Sequence, residues 1–106
     1  MQNAEKQLTE RFLNFAAEII KLAIKLNKTA VGCHIAGQLI RSTTSAGANY
    51  EEACGAESHA DFIHKMQIVL KELRESFYWL RLIKKAILIS DTNLEKHFPF
   101  FNCNAT

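Results

Sequence analysis

Apolar residues return at steps of three and four through three long stretches of this sequence, and glycine and proline hardly interrupt them. The 106 residues include only four Gly and one Pro. This spacing places apolar side chains along one side of an α-helix, and no strand-like alternation competes with it. The pattern predicts an all-α fold with three long helices, at about residues 4–27, 30–54 and 58–89.

The three predicted helices make up one domain, residues 1–90, with the expected arrangement of an antiparallel up-down helical bundle. The remaining residues, 91–106, start with a capping box at Thr92–Glu95, which announces a fourth helix. Pro99 follows only a few residues later and would break a helix interior. We therefore predict a truncated fourth helix and an irregular C-terminal tail.

Each predicted helix has one apolar stripe that should face the core. In the second helix most of these residues are small, which would let the bulky third helix approach closely. The third helix shows the alternating four-three spacing of a bundle seam. The predicted core residues are Leu8, Phe12, Phe15, Ala16, Ile19, Leu22, Ala23 and Leu26 in the first helix, Val31, Ile35, Leu39, Ser42, Ala46, Tyr50 and Ala53 in the second, and Phe62, Met66, Leu70, Leu73, Phe77, Leu80 and Ile87 in the third.

The first and third helices also carry a second apolar face. In the first helix it lies about 100° from the core stripe, so the core of a single monomer cannot bury both. Each Leu or Phe that stays uncovered loses about 1.5–3 kcal/mol of burial free energy. We therefore expect a homo-oligomer whose interface uses Leu13, Ile20, Ile24, Ile68, Trp79 and Leu82.

Composition excludes several classes of protein. The net charge of +2 comes from 13 basic and 11 acidic residues, so the whole chain lacks the charge of a dedicated nucleic-acid binder. Three widely spaced cysteines predict neither a disulfide framework nor a zinc site. We expect a cytoplasmic protein, because no secretory signal is evident and no apolar run reaches the roughly 20 residues that span a bilayer.

The residues that could carry catalysis or bind a metal are better explained as ordinary structural and surface residues. Asp61 and His64 have the spacing of one di-iron ligand element, but such bundles need two elements and further glutamates. Cys33 is adjacent to His34 in sequence, and adjacent helix residues do not face each other. Cys54 has no histidine in a recognisable motif. We predict no enzyme activity, no cofactor, no metal and no small-molecule substrate.

A row of polar residues lies beside the core stripe of the second helix. An arginine so close to a core needs acidic or carbonyl partners, so the row is interpreted mainly as a hydrogen-bond network that fixes helix register. The alternative is a ligand or nucleic-acid contact at an oligomer seam. The row consists of Gln38, Arg41, Ser45, Asn49 and Glu52.

Basic residues cluster near the C-terminal ends of the first and third helices. Favourable placement near helix C-termini and ordinary solvation explain such clusters most simply. In an antiparallel arrangement, however, the two clusters would lie at the same end, and an oligomer would repeat them as a basic collar for RNA or DNA backbone. The residues are Lys21, Lys25, Lys28, Arg74, Arg81, Lys84 and Lys85.

Residues 38–89 resemble the four-helix-bundle proteins of the bacterial 23S rRNA-intervening-sequence family. The resemblance covers about half of the chain, while the first helix agrees only in pattern. The matching residues are Gln38-Leu39, Arg41-Ser42, Ser45-Ala46-Gly47-Ala48-Asn49, Glu51-Glu52, Asp61-Phe62, Leu70, Glu72 and Tyr78-Trp79-Leu80-Arg81.

This resemblance implies an up-down bundle that assembles into a ring, commonly a pentamer, without an established enzymatic activity. A related group of retroelement accessory variability proteins serves a reverse transcriptase, with binding of nucleic acid and polymerase. The resulting hypothesis is a self-associating, non-enzymatic protein that binds structured RNA or other nucleic acid through the collar. The alternatives are a structural or protein-interaction oligomer without nucleic-acid affinity, and a decaying gene copy whose product folds poorly.

Overall fold

A computed structural model of the protein describes residues 2–86. This part of the chain forms three α-helices and contains no strand, which confirms the all-α prediction. The predicted truncated fourth helix and tail, residues 91–106, lie outside the described residues, as does the predicted end of the third helix near residue 89. The helices are α1 (Gln2–Leu26), α2 (Ala30–Cys54) and α3 (His59–Ala86).

The turn between α1 and α2 is tight and depends on a glycine. Thr29 caps α2, since its hydroxyl accepts a hydrogen bond of 2.9 Å from the backbone N–H of Gly32. Gly32 is buried against the end of α1, and a Cβ atom at this position would lie 1.9 Å from the carbonyl oxygen of Leu26. Only a residue without a side chain fits this close approach.

The turn between α2 and α3 is more open. Gly55 ends α2, and its N–H donates to the carbonyl of Glu52 at 3.1 Å. A Cβ atom on Gly55 would meet only that carbonyl oxygen, at 3.8 Å. Ser58 caps α3, because its hydroxyl accepts from the N–H of Asp61 at 3.0 Å.

The core combines residues of all three helices in one cluster. The predicted stripes of α1 and α2 are largely confirmed. Val31 is the exception: it is 61% exposed, because its neighbour Gly32 takes the buried place in the first turn of α2. The cluster contains Phe15, Ile19, Leu22, Ala23 and Leu26 from α1, Ile35, Ala36 and Leu39 from α2, and Leu80 and Ile83 from α3.

The buried face of α3 differs from the prediction. Leu70, predicted in the seam, is 57% exposed, and its neighbour Val69 is buried instead. The reason is Ser76, which is fully buried because its hydroxyl has partners on α2. A prediction based on apolar residues alone does not include this serine. The predicted buried face of α3 was therefore rotated away from α2.

Side-chain contacts show how the helices run past each other. Between α2 and α3, Glu52 pairs with Lys65, and the rings of His34 and Trp79 meet edge to face. Residue numbers therefore rise along one helix while they fall along the other. Between α1 and α2 the same order holds, because Phe12 stacks on Tyr50 while the turn joins the other ends. The C-terminal ends of α1 and α3 thus lie at the same end as the N-terminus of α2.

Candidate nucleic-acid interface

Among the residues that the structure describes, one end of the molecule contains basic residues and no acidic ones. We call it the basic end and define it as residues 19–40 and 76–86. These residues include no Asp or Glu. Arg74, which the sequence grouped with them, lies just below this end on α3. The six cations that the fold brings to the basic end are Lys21, Lys25, Lys28, Arg81, Lys84 and Lys85.

Ion pairs within the described helices neutralise little of the charge of Lys21, Lys28, Arg81 and Lys85. Lys21 pairs with Glu18 at 3.3 Å, but the lysine side chain is 64% exposed, and exposed pairs of this kind contribute little. Among residues 2–86, no carboxylate lies within ion-pair distance of Lys28, Arg81 or Lys85. Polyanions can therefore approach these three cations without displacing a described carboxylate.

The opposite end of the molecule is rich in acidic residues. We call it the acidic end and define it as residues 46–66 with the first turns of α1. Residues 46–66 contain four carboxylates and one cation, Lys65, which pairs with Glu52 at 2.6 Å. Burial raises the pKa of Tyr50 to about 12, with a smaller contribution from its hydrogen bond to Cys54. The carboxylates are Glu51, Glu52, Glu57 and Asp61.

The polar row of α2 faces α3. Arg41 reaches two carboxylates of α3, Glu72 at 3.3 Å and Glu75 at 2.5 Å. Asn49 instead donates within α2, to the carbonyl of Ser45 at 2.8 Å. Of the remaining members, Glu52 takes part in the ion pair with α3 at the acidic end, and Gln38 is half-buried. Two members of the row, Arg41 and Glu52, thus form ion pairs between α2 and α3.

Glu75 is the centre of a connected group on the outer side of α2 and α3. Its hydrogen bond with Arg41 lowers the pKa of the carboxyl group, and a second bond from the indole N–H of Trp79, at 3.0 Å, acts in the same direction. Trp79 in turn contacts the ring of Tyr78 edge to face, with centroids 5.1 Å apart. These contacts hold the indole in place.

Three buried hydroxyl groups join α2 to α3, and the sequence identified only one of them. Ser42, predicted on the core stripe, lies 2.8 Å from the hydroxyl of Ser76, and Thr43 lies 3.1 Å from the same atom. Ser76 also donates to the carbonyl of Glu72 at 3.0 Å. Each polar group therefore has a partner, as buried polar groups require. The sequence signal that could have identified Ser76 as buried is its position one helical turn before the core residue Leu80.

An apolar groove of about 210 Å³ lies between α1 and α2 at the basic end. Ile20 and Ile24 are 46% and 68% exposed, and Leu13, two turns earlier on the same face, is 59% exposed. The groove is lined by Ile20, Ala23, Ile24, Asn27, Cys33, Ala36, Gly37 and Ile40.

The structure separates the six residues that the sequence grouped as an oligomer interface. Leu13, Ile20 and Ile24 lie exposed on the α1 face described above. Trp79 and Leu82 are partly buried and pack against the core, and Ile68 is half-buried. The exposed members therefore share a single face, on α1.

Other kinds of site find no support in the described helices. Residues 2–86 contain no group of three His, Cys, Asp or Glu side chains that could hold a metal ion. The thiol of Cys33 points to the side chain of Asn27, with 2.8 Å between Sγ and Oδ1. No helix within the same part of the chain combines the length and apolar character needed to cross a bilayer.

Comparison with known proteins identifies the family. Residues 5–100 match the family described as 23S rRNA-intervening sequence protein. This chain belongs to the 23S rRNA-intervening sequence protein family. The match extends the resemblance of residues 38–89 to most of the chain, including α1. No curated protein matches the sequence.

A solved structure shows the same fold in a relative. It is a protein with unknown function from the S23 ribosomal protein family of Bacteroides thetaiotaomicron. The two proteins share 36% identity, over 88% of this chain and 86% of that chain, with a TM-score of 0.79. Family members are thus small helical proteins, and the relative's function is unknown.

Proposed function

We propose that this protein is a non-enzymatic, cytoplasmic protein that binds the backbone of structured RNA or other nucleic acid at its basic end. The observation that carries the proposal is that six cations meet there without a single Asp or Glu in the same segments. Lysine and arginine bind phosphates by releasing condensed counterions, a contribution that needs no particular base sequence.

The near-neutral net charge does not argue against this proposal. With 28 residues, α3 is about 42 Å long, so the acidic end lies several Debye lengths from the basic end at 0.1 M salt, where one such length is about 10 Å. A polyanion at the basic end is thus largely screened from the carboxylates at the acidic end.

Helix dipoles alone do not account for the charge distribution. Cations favour helix C-termini and carboxylates favour N-termini. The last turns of α1 and α3 follow this rule, with Lys25 in one and Lys84 and Lys85 in the other. In α2 the rule fails: its last turn has no cation but holds Glu51 and Glu52, and its first turn has no carboxylate. The charges of α2 follow the end of the molecule and not the helix dipole.

A second proposal, self-association, rests on the exposed apolar face of α1. Ile20 and Ile24 are exposed beside an apolar groove, and Leu13 continues the same face. We infer that a second copy of the chain covers this face. The antiparallel up-down bundle with a truncated fourth helix in residues 91–106, and assembly into a pentameric ring, belong to the same proposal. A ring would repeat the basic end as a collar.

Titration of a labelled structured RNA at low and moderate salt tests the nucleic-acid proposal. We expect binding whose logarithmic affinity falls linearly with the logarithm of salt concentration. Absence of binding, or binding that ignores salt, contradicts the proposal. If light scattering then shows an oligomer, the two results favour the alternative function, a structural or protein-interaction oligomer, such as an accessory protein of a reverse transcriptase, without nucleic-acid affinity.

A further inference from the structure

An exposed aromatic ring lies within a line of cations on α3. Tyr78 is 56% exposed. Arg74, Arg81 and Lys85 are four residues before, three after and seven after it, so all four share one side of the helix. We call these four residues the α3 stripe. The stripe is about 16 Å long from Arg74 to Lys85, which matches a few nucleotides.

The ring of Tyr78 is held next to the ring of Trp79. Trp79 contacts it edge to face at 5.1 Å, and Trp79 is itself held by the hydrogen bond of its indole N–H to Glu75. Tyr78 as a whole is nevertheless more than half exposed to solvent. A positioned, solvent-exposed ring is the feature on which nucleic-acid bases stack in proteins that bind single strands.

The cations of the stripe are available for phosphates. Arg74, Arg81 and Lys85 are all exposed, and no carboxylate within residues 2–86 forms an ion pair with any of them. The stripe therefore combines the two components of a sequence-tolerant single-strand site, which are backbone cations and an aromatic platform.

We infer that the α3 stripe binds an unpaired segment of polynucleotide, with one base stacked on Tyr78 and flanking phosphates on Arg74, Arg81 and Lys85. In a duplex the base faces are already stacked on each other, whereas loops, bulges and single strands offer a base to an aromatic ring. This inference rests on the proposed function and narrows its ligand from nucleic acid in general to unpaired nucleic acid.

The experiment compares a short fluorescent oligouridylate with an RNA duplex of matched length. For the Tyr78→Leu variant we expect about tenfold weaker binding of oligouridylate and unchanged binding of the duplex, with an unchanged salt dependence. Tyr78→Phe keeps the ring and should bind like the wild type. The matched control is Phe62→Leu, which removes another partly exposed aromatic ring of α3, at the acidic end, and should change neither affinity.

A second readout is the fluorescence of Trp79, the single tryptophan of the chain, which contacts Tyr78. Oligouridylate should change its emission in the wild type, and the duplex should not. If Tyr78→Leu, verified as folded by circular dichroism, binds oligouridylate like the wild type, the stacking inference is overturned and the proposed function stands. If the wild type binds neither RNA, the stacking inference and the proposed function are both contradicted. Polyglutamate bound as tightly as oligouridylate would also overturn the inference, since any polyanion would then suffice.

Discussion

The two ends of the molecule are built from the same three helices but differ in turn geometry, charge and surface. At the basic end, Gly32 fits tightly against α1, cations occur without carboxylates, and an apolar groove lies open. At the acidic end, Gly55 has space around it, Tyr50 is stacked under Phe12, and Lys65 pairs with Glu52.

This difference separates contacts that stabilise the chain from surface features that suit the binding of a partner. At the acidic end, a ring stack and an ion pair are made within the chain. The basic end leaves like charges near each other and apolar side chains in water, and neither arrangement stabilises a monomer. Features that cost stability without a partner are the expected marks of a binding surface.

The largest expected effect is a difference in stability between a variant of the turn joining α1 to α2 and a variant of the turn joining α2 to α3. Gly32→Ala should destabilise the protein by about 3 kcal/mol, because the new Cβ atom would overlap the carbonyl oxygen of Leu26 and force the end of α1 to move. Gly55→Ala is the control: its φ of −99° is open to any residue, and we expect a change below about 1 kcal/mol. Urea unfolding of both variants measures the difference. Equal stabilities would contradict the contrast between a tight and an open turn.

The next effect concerns assembly. Ile24→Asp places a carboxylate in the groove of the basic end, so we expect the dissociation constant of the oligomer to rise at least about tenfold. The matched control is Ile63→Asp, at the acidic end, where the side chain is 41% exposed. Size exclusion with light scattering measures the oligomeric state of both variants. An oligomer that survives the first change and dissociates with the second would place the interface elsewhere.

The smallest effect is confined to alkaline pH and to the acidic end. The folded pKa of Tyr50, about 12, is raised above the ordinary tyrosine value of about 10, so the unfolded chain releases this proton first. The stability contributed by Tyr50 is therefore complete below about pH 10 and is lost as pH rises towards 12.

The Tyr50→Phe variant has no phenol to ionise. Relative to it, the wild type should lose on the order of 1 kcal/mol between neutral pH and about pH 11. Urea titrations of both proteins at the two pH values supply the comparison. Parallel losses in the two proteins would show that Tyr50 is not protected by its surroundings.

The sequence predicted the helices because their evidence is local. The apolar periods of α1 and α2 need no knowledge of the partner helix, and the structure confirms both helices. Thr29 and Ser58 also cap their helices through hydrogen bonds within one turn. The buried side of α3 was wrong for the opposite reason. The burial of Ser76 depends on its hydroxyl lying within hydrogen-bond distance of the hydroxyls of Ser42 and Thr43 on the partner helix, which a single helix does not reveal.

The features of the candidate site likewise divide into those visible in the sequence and those that depend on how the helices pack. The cations were visible in the sequence, and so was the second stripe of α1. That Ile24 borders a groove formed with Cys33 and Gly37 depends on how α1 and α2 pack, so it could not be read from either helix. The sequence also missed Tyr78 as a surface residue, because it stands beside Trp79, which packs against the core.

The salt dependence of nucleic-acid binding tests the central claim most directly. Arg81→Glu with Lys85→Glu reverses two cations of the basic end, and Lys6→Glu with Arg11→Glu makes the same change in net charge near the acidic end. In logarithmic plots of affinity for a structured RNA against salt, the account predicts a slope reduced by about 2 in the first variant and unchanged in the second. Equal slopes in both variants and the wild type would contradict it.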